Sequence, residues 1–231
     1  MTALVGQLAV VTGASKGIGA AIATALGGEG ATVVRAARHL PEPRGPGVID
    51  VVADLATDEG LDALVAAVGR LGIPDLLVNN AGGFDLGPFE TTPVSTLDQL
   101  YRINLRAPYE LARRLLPLMR ARGSGRHVLV GSIADHLALA GNAAYAATKF
   151  GARGLHEVLR EEYRGSGVLC TLVSPGPVDT PLWDPLDPDH RDDLPSRASM
   201  LRPDDVAAVV HWIATRPRHV DVGSVQLGAA W

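Results

Sequence analysis

The chain has 231 residues, a formal net charge of −4 with both signs interspersed, and 47% apolar residues. That suffices for one α/β domain with a sizeable buried core, and it offers no basic patch for nucleic acid. One cysteine, Cys170, excludes an internal disulfide, no apolar run nears the roughly 20 residues that span a bilayer, and the N-terminus lacks the basic segment of a signal peptide, so a cytoplasmic location is expected.

Residues 7–12, Q-L-A-V-V-T, read as a short buried strand. The turn G-A-S-K-G-I-G follows, with Gly13, Gly17 and Gly19 spaced unlike the common G-x-G-x-x-G. It leads into an amphipathic helix with Ile18, Ile22, Ala25 and Leu26 on one face. A strand, a glycine turn and a helix N-terminus present free backbone N–H groups to a pyrophosphate, although any tight strand–helix connection could use glycine. The strand A-T-V-V-R-A-A-R-H ends about 20 residues after the last glycine, where ribose selectivity is set. Ala37 stands where an acidic residue would bind a 2′-hydroxyl, and Arg38 follows it. Arg38 can grip a 2′-phosphate, with Lys16 on the glycine turn as a second positive charge, so NADP is favoured over NAD.

Residues 40–47, rich in Pro and Gly, read as a loop. Residues 48–55 read as a strand with Asp54 at its carboxyl end, and Leu61, Leu64, Val65 and Val68 mark a helix. The strand over 75–82 ends in Asn79-Asn80-Ala81-Gly82, small residues that let a cofactor approach. A long helix is expected over 97–121, carrying Asn104, Pro108 and Pro117. A strand over 126–132 and a helix over 143–164 follow, the latter with Gly151 and Gly154 thinning one flank for close packing. Cys170 lies in an apolar strand over 167–174, which leads to P-G-P-V-D-T at 175–180. The stretch 181–200 holds five Asp and four Pro among scattered apolar residues and reads as a lid or binding loop. A helix over 204–214 and an edge strand over 224–227 close the chain. This alternation predicts a single domain built on a parallel, doubly wound sheet of about seven strands, with helices on both faces and ligand at the carboxyl ends of the strands.

The chemistry is expected between Ser132 and Lys149. Asn142 is placed as N-cap of an Ala-rich helix on which Tyr145 and Lys149 stand one turn apart on one face. A free phenol has a pKa of about 10 and is a poor base at neutral pH, and a neighbouring ammonium would lower it. Ser132, at the end of R-H-V-L-V-G-S, could orient a carbonyl or alcohol beside the phenol. The chain has four tyrosines and two lysines against nineteen arginines. Random placement would give about 0.03 Y-x-x-x-K matches, so retention of Lys at this spot is informative even though a surface i,i+4 pair is the plain alternative.

Taken together, T-G-A-S-K-G-I-G, N-N-A-G, Asn104, Ser132, Y-A-A-T-K and P-G-P-V-D-T resemble, in order and over essentially the whole chain, the classical short-chain dehydrogenases/reductases. The resemblance implies a Rossmann-type NAD(P)(H)-dependent oxidoreductase, a homodimer or homotetramer built through two long helices, with a small carbonyl or alcohol substrate and no metal. Carried over, Tyr145 would be the acid/base, Lys149 would tune it and hold the nicotinamide ribose, and Ser132 would polarise the substrate oxygen. Gly13, Ser15, Ile18, Asp54, Leu55, Asn80 and Val178 would touch the cofactor, within motifs that also carry Gly17, Gly19, Ala81, Gly82, Pro175, Gly176 and Thr180. Arg38 and Lys16 would meet the adenosine phosphate. Two departures stand out: Ser174 replaces the usual Asn before Pro-Gly, and the ending S-V-Q-L-G-A-A-W lacks the usual glycines. Epimerases and dehydratases of the extended relatives need a longer C-terminal region. A redox-sensing module that holds NADP without turnover is the alternative from another class. Asn104 would join a water relay to Lys149: Pro108 has no N–H for the Asn104 carbonyl, so a kink near 104–108 and a water on that carbonyl are expected.

Overall fold

The computed structural model describes residues 3–41 and 45–230. Residues 42–44 of the loop expected over 40–47 lie outside them. Seven strands form one parallel sheet: β1 (Leu8–Thr12), β2 (Thr32–Ala37), β3 (Val48–Val52), β4 (Leu76–Asn79), β5 (Gly125–Val130), β6 (Val168–Pro175) and β7 (Ser224–Leu227). Their order is β3-β2-β1-β4-β5-β6-β7. The winding therefore reverses between β1 and β4, and a crevice opens at their carboxyl ends.

Apolar residues alternate between two cores, as the pleat requires. Val11, Val33, Val78, Val128 and Val173 face Ile22 and Leu26 of α1 (Gly17–Gly28) and Val206, Val210 and Ile213 of α6 (Pro203–Ala214). Val10, Val34 and Leu77 face the other way, onto Leu61, Leu64 and Val68 of α2 (Asp58–Leu71) and Leu111, Leu115 and Met119 of α4 (Ala107–Arg122). Helix α2 has strong local signals: the Thr57 hydroxyl accepts from the Gly60 N–H, Asp58 and Glu59 open the first turn, and Gly72 ends it with φ 126°. Arg35 of β2 lies directly across from Asp50 of β3, and its guanidinium makes two 2.7 Å bonds to that carboxylate. Cys170 is buried as expected, and burial pushes its thiol up to about 12, leaving it unreactive.

The long helix expected over 97–121 differs in form. It starts earlier, as α3 (Val94–Tyr101), passes through a π turn at Arg102–Arg106, and continues as α4. In the π turn the Ala107 N–H donates to the Arg102 carbonyl, five residues back. The ladder is thus displaced where Pro108 was expected to break it, while the flanking dihedrals at Tyr101 and Arg106 stay helical. Helix α5 (Ala143–Glu162) packs against this turn: a Cβ at Gly151 would lie 2.8 Å from Leu105. Gly154 does not share that role, since nothing lies within 4 Å of its side. Asn142 holds the N-cap position of α5 but makes no side-chain cap bond, contrary to expectation. Among the described residues no helix is long and apolar enough to cross a membrane.

Two histidines are buried in the sheet and its cover. His127 of β5 faces the Asn79 amide at 3.0 Å, and His156 of α5 bonds the Gly223 carbonyl at 3.1 Å. Burial pushes His127 down to about 3 and His156 down to about 4. The folded state therefore binds fewer protons than the unfolded chain, whose histidines titrate near 6.5, and stability is lost as pH falls below that value. Between pH 6.5 and 5, where exposed carboxylates barely titrate, each histidine should remove about 1.5 kcal/mol. Urea midpoints across that window check this, and a flat profile would contradict it.

Candidate active site

Every motif singled out in the sequence reaches the carboxyl edge of the sheet. At its centre is the β1–α1 turn, which glycine alone can make. Gly13 has φ +66°, and a Cβ at Gly19 would lie 2.3 Å from the Gly13 carbonyl oxygen. The Thr12 hydroxyl accepts from the N–H groups of Asn80 and Ala81 at 2.9 and 3.0 Å, and the Asn80 amide donates to the Thr12 carbonyl at 2.9 Å. Asn80 thus holds the turn in place. The Gly13 and Ala14 N–H groups donate to the Ala36 carbonyl, which draws the turn against the end of β2. Lys16, at the N-cap position of α1, makes no cap bond, so the first N–H groups of the helix lack a side-chain acceptor.

The remaining cofactor candidates border this cradle. Arg38 and Lys16 are exposed, and neither side chain has a hydrogen-bond or salt-bridge partner among the described residues. The Asp54 carboxylate accepts from the Ala56 N–H at 3.0 Å, while Leu55 is buried behind it. From the far side, Thr180 approaches Gly17: a Cβ there would lie 3.1 Å from the Thr180 methyl. Gly176 is tied to β7 by its N–H on the Leu227 carbonyl at 2.7 Å, and Val178 is buried in a bridge to Leu201. Ser15 and Ile18 are half-buried on the same turn. A glycine cradle, helix N–H groups without a side-chain cap and two exposed cations, unpaired among the described residues, fit a dinucleotide phosphate.

Ser132, Tyr145 and Lys149 come together beside Gly82. Ser132 lies just past β5, and the Val130 carbonyl accepts from the Lys149 Nζ at 3.2 Å. That ammonium lies 5.7 Å from the centre of the Tyr145 ring and would be 3.9 Å from a Cβ at Gly82. Burial pushes the Tyr145 phenol up to about 12; the Ser132 hydroxyl pulls it down and Asp135 pushes it further up. Burial also pushes Lys149 down to about 8, opposed by Asp135. The lowered phenol expected from the ammonium one turn away is not what this environment gives: loss of hydration is the largest effect and raises it, and the opposing pull comes from Ser132. The site holds a neutral phenol, a proton donor.

Asn104, 3% exposed in the π turn, acts through its side chain as a clamp. Its Oδ1 accepts from the Gly83 N–H at 2.8 Å, and its Nδ2 donates to the Gly83 carbonyl at 3.1 Å and to the Thr148 hydroxyl at 3.0 Å. Thr148 in turn donates to the Tyr145 carbonyl at 2.7 Å. The N-N-A-G loop and the helix bearing Tyr145 and Lys149 are thereby one unit.

Sequence reading marked the 181–200 loop but missed three features of the site: the Phe84 wall, the ties that hold that loop, and Asp135. Phe84 packs edge-on against Tyr145 at 4.9 Å and against Trp183 at 5.2 Å, forming an aromatic wall beside the phenol. The stretch 181–200 is ordered as three short 3-10 turns around Arg197, whose guanidinium bonds Asp179 and Asp184 at 2.6 Å each and whose N–H bonds Asp189. Asp135, the third, sits buried under the Ser132 turn. Aromatic contact at that range and a salt-bridged loop leave no periodic trace.

Known proteins agree with this geometry. The sequence model of the short chain dehydrogenase family matches residues 7–191. An uncharacterized oxidoreductase of Staphylococcus aureus is 32% identical, with 97% of this chain and 98% of the relative aligned. The ketoacyl reductase HetN of a Nostoc strain is 36% identical over 96% of this chain and 80% of its own. Among solved structures, a metagenomic short-chain oxidoreductase in complex with NADP superposes with a TM-score of 0.83 at 35% identity, covering 99% of this chain and all of that one. With its seven-stranded parallel sheet and its glycine turn, the chain belongs to the short-chain dehydrogenase family of oxidoreductases.

Proposed function

We propose that the protein interconverts a carbonyl and a secondary alcohol with NADP(H), using Tyr145 as the acid/base. The supporting observation is the convergence of a neutral phenol, a hydroxyl and a buried ammonium next to a glycine cradle. When bound, the nicotinamide supplies the hydride for reduction or takes it for oxidation. In reduction Tyr145 Oη passes its proton to the substrate oxygen, and the Ser132 hydroxyl holds that oxygen in place. Lys149 would hold the nicotinamide ribose and carry positive charge beside the phenol as it ionises. A water on the Asn104 carbonyl, near Lys149, would complete a proton path to solvent. Phe84 and Trp183 suit a substrate with an apolar substituent. The exposed Tyr109, Leu118, Phe150 and Val158, with open Gly154, support self-association through α4 and α5.

Cofactor choice rests on Ala37 and Arg38. The unaltered protein should show a higher kcat/KM with NADPH than with NADH, and Ala37→Asp combined with Arg38→Leu should reverse the ratio. Initial rates at varied concentrations of each cofactor measure it; equal use of both by the unaltered protein would sink the assignment.

A further inference from the structure

Asp135 is 1% exposed, and the mechanism above gives it no task. It ends the short 3-10 turn Ile133–Asp135 that starts at Ser132. Three donors converge on its carboxylate: the Ser132 N–H at 3.2 Å and the Ser174 hydroxyl at 2.5 Å on Oδ2, and His136 Nδ1 at 2.6 Å on Oδ1. A buried carboxylate needs such partners to stay charged. A Cβ at Gly131 would lie 2.4 Å from Oδ2, so the group is wedged beneath the main chain that carries Ser132. Ser132 in turn accepts from the Ala134 N–H at 3.2 Å, closing the turn from both ends. Ser174 is the position where the sequence departs from the family's usual Asn, and its hydroxyl is used here to hold Asp135. The bond joins two residues 39 positions apart in the chain.

We propose that Asp135 is a positioning residue that fixes the Ser132 turn against β6 and whose charge sets the pH range in which Tyr145 gives up and regains its proton. This rests on the reading of Tyr145 as the acid/base. The titratable and charged groups around it are His136 on its own turn and Tyr145, Lys149, Arg153 and His156 on α5, while β6 contributes the neutral Ser174. Its negative charge opposes a phenolate at Tyr145 and favours an ammonium at Lys149. Both effects keep the pair protonated, the state that carbonyl reduction consumes and alcohol oxidation must undo.

The test compares pH profiles of kcat/KM for a ketone with NADPH and for the matching alcohol with NADP in the unaltered protein, Asp135→Asn and Ser174→Ala. Asp135→Asn keeps the shape and removes the charge. Its alkaline loss of reduction and its alkaline rise of oxidation should both move to lower pH, by about half a unit or more. Ser174→Ala keeps the charge and should leave both limbs in place. If Asp135→Asn does not fold, the double variant Asp135→Ser with Ser174→Asn refills the space without charge and should show the same movement. A lowered rate with unmoved limbs in the neutral variant would overturn the proposal and leave Asp135 a structural residue. Should Tyr145→Phe retain near-normal kcat, the acid/base reading itself fails, a different outcome from unmoved limbs with Tyr145 essential.

Discussion

Tyr145→Phe is expected to lower kcat for carbonyl reduction by about 10³-fold or more while NADPH affinity stays within about threefold. The variant removes one oxygen from a ring that remains packed against Phe84 at 4.9 Å, so the aromatic wall survives. What it loses is the proton donor. The phenol, held up to about 12 by burial, is fully protonated at neutral pH and ready to give its proton as negative charge grows on the substrate oxygen. A loss of that size corresponds to about 4 kcal/mol of transition-state stabilisation, within the range of general-acid catalysis in a site shielded from water. Steady-state kinetics paired with NADPH fluorescence titration separate the two quantities. Near-normal kcat would put the chemistry elsewhere.

Lys149→Arg should also be severe, with kcat down by about 10²-fold and a raised KM for NADPH. The side chain is 7% exposed, its Nζ donates to the Val130 carbonyl at 3.2 Å, and Gly82 closes the other side. A planar guanidinium has no room to make the same contact and cannot release a proton, whereas the lysine, pushed down to about 8, can. Lys149→Met removes the charge without bulk and should lower kcat comparably. If arginine substitutes with little loss, the ammonium's compactness does not matter and its role is only charge.

The strands and the first helices were legible because their signals are local. The short apolar run L-A-V-V marked β1, V-V and A-A around Arg35 marked β2, and Thr57, Asp58, Glu59 and Gly72 bracket α2 as capping rules demand. Strand ends were read too long at 48–55 and 75–82. Beyond Asn79 the backbone continues toward the site, but the N–H groups of Asn80 and Ala81 bond the Thr12 side chain instead of a neighbouring strand. Pro108 announced a change in the helix, yet the π turn at Arg102–Arg106, with Leu105 packed against Gly151, is a tertiary arrangement that no local pattern encodes. The positions of Tyr145, Lys149, Ser132 and the glycine turn could be read from spacing alone. Their electrostatics could not: burial, a tertiary property, set the phenol's acidity against the direction the lysine suggested. Asp135 was invisible because its meaning depends on Ser174 in another strand.

On the proposed function the protein turns over a carbonyl with NADP(H). A panel of ketones and the matching secondary alcohols, spanning apolar and charged substituents, followed at the nicotinamide absorbance with each cofactor, tests it most directly. The expected result is NADPH oxidation with at least one apolar ketone, NADP reduction with the corresponding alcohol, and loss of both in Tyr145→Phe. NADPH binding with no turnover across the panel would contradict it, and would favour a protein that senses the cofactor without reacting.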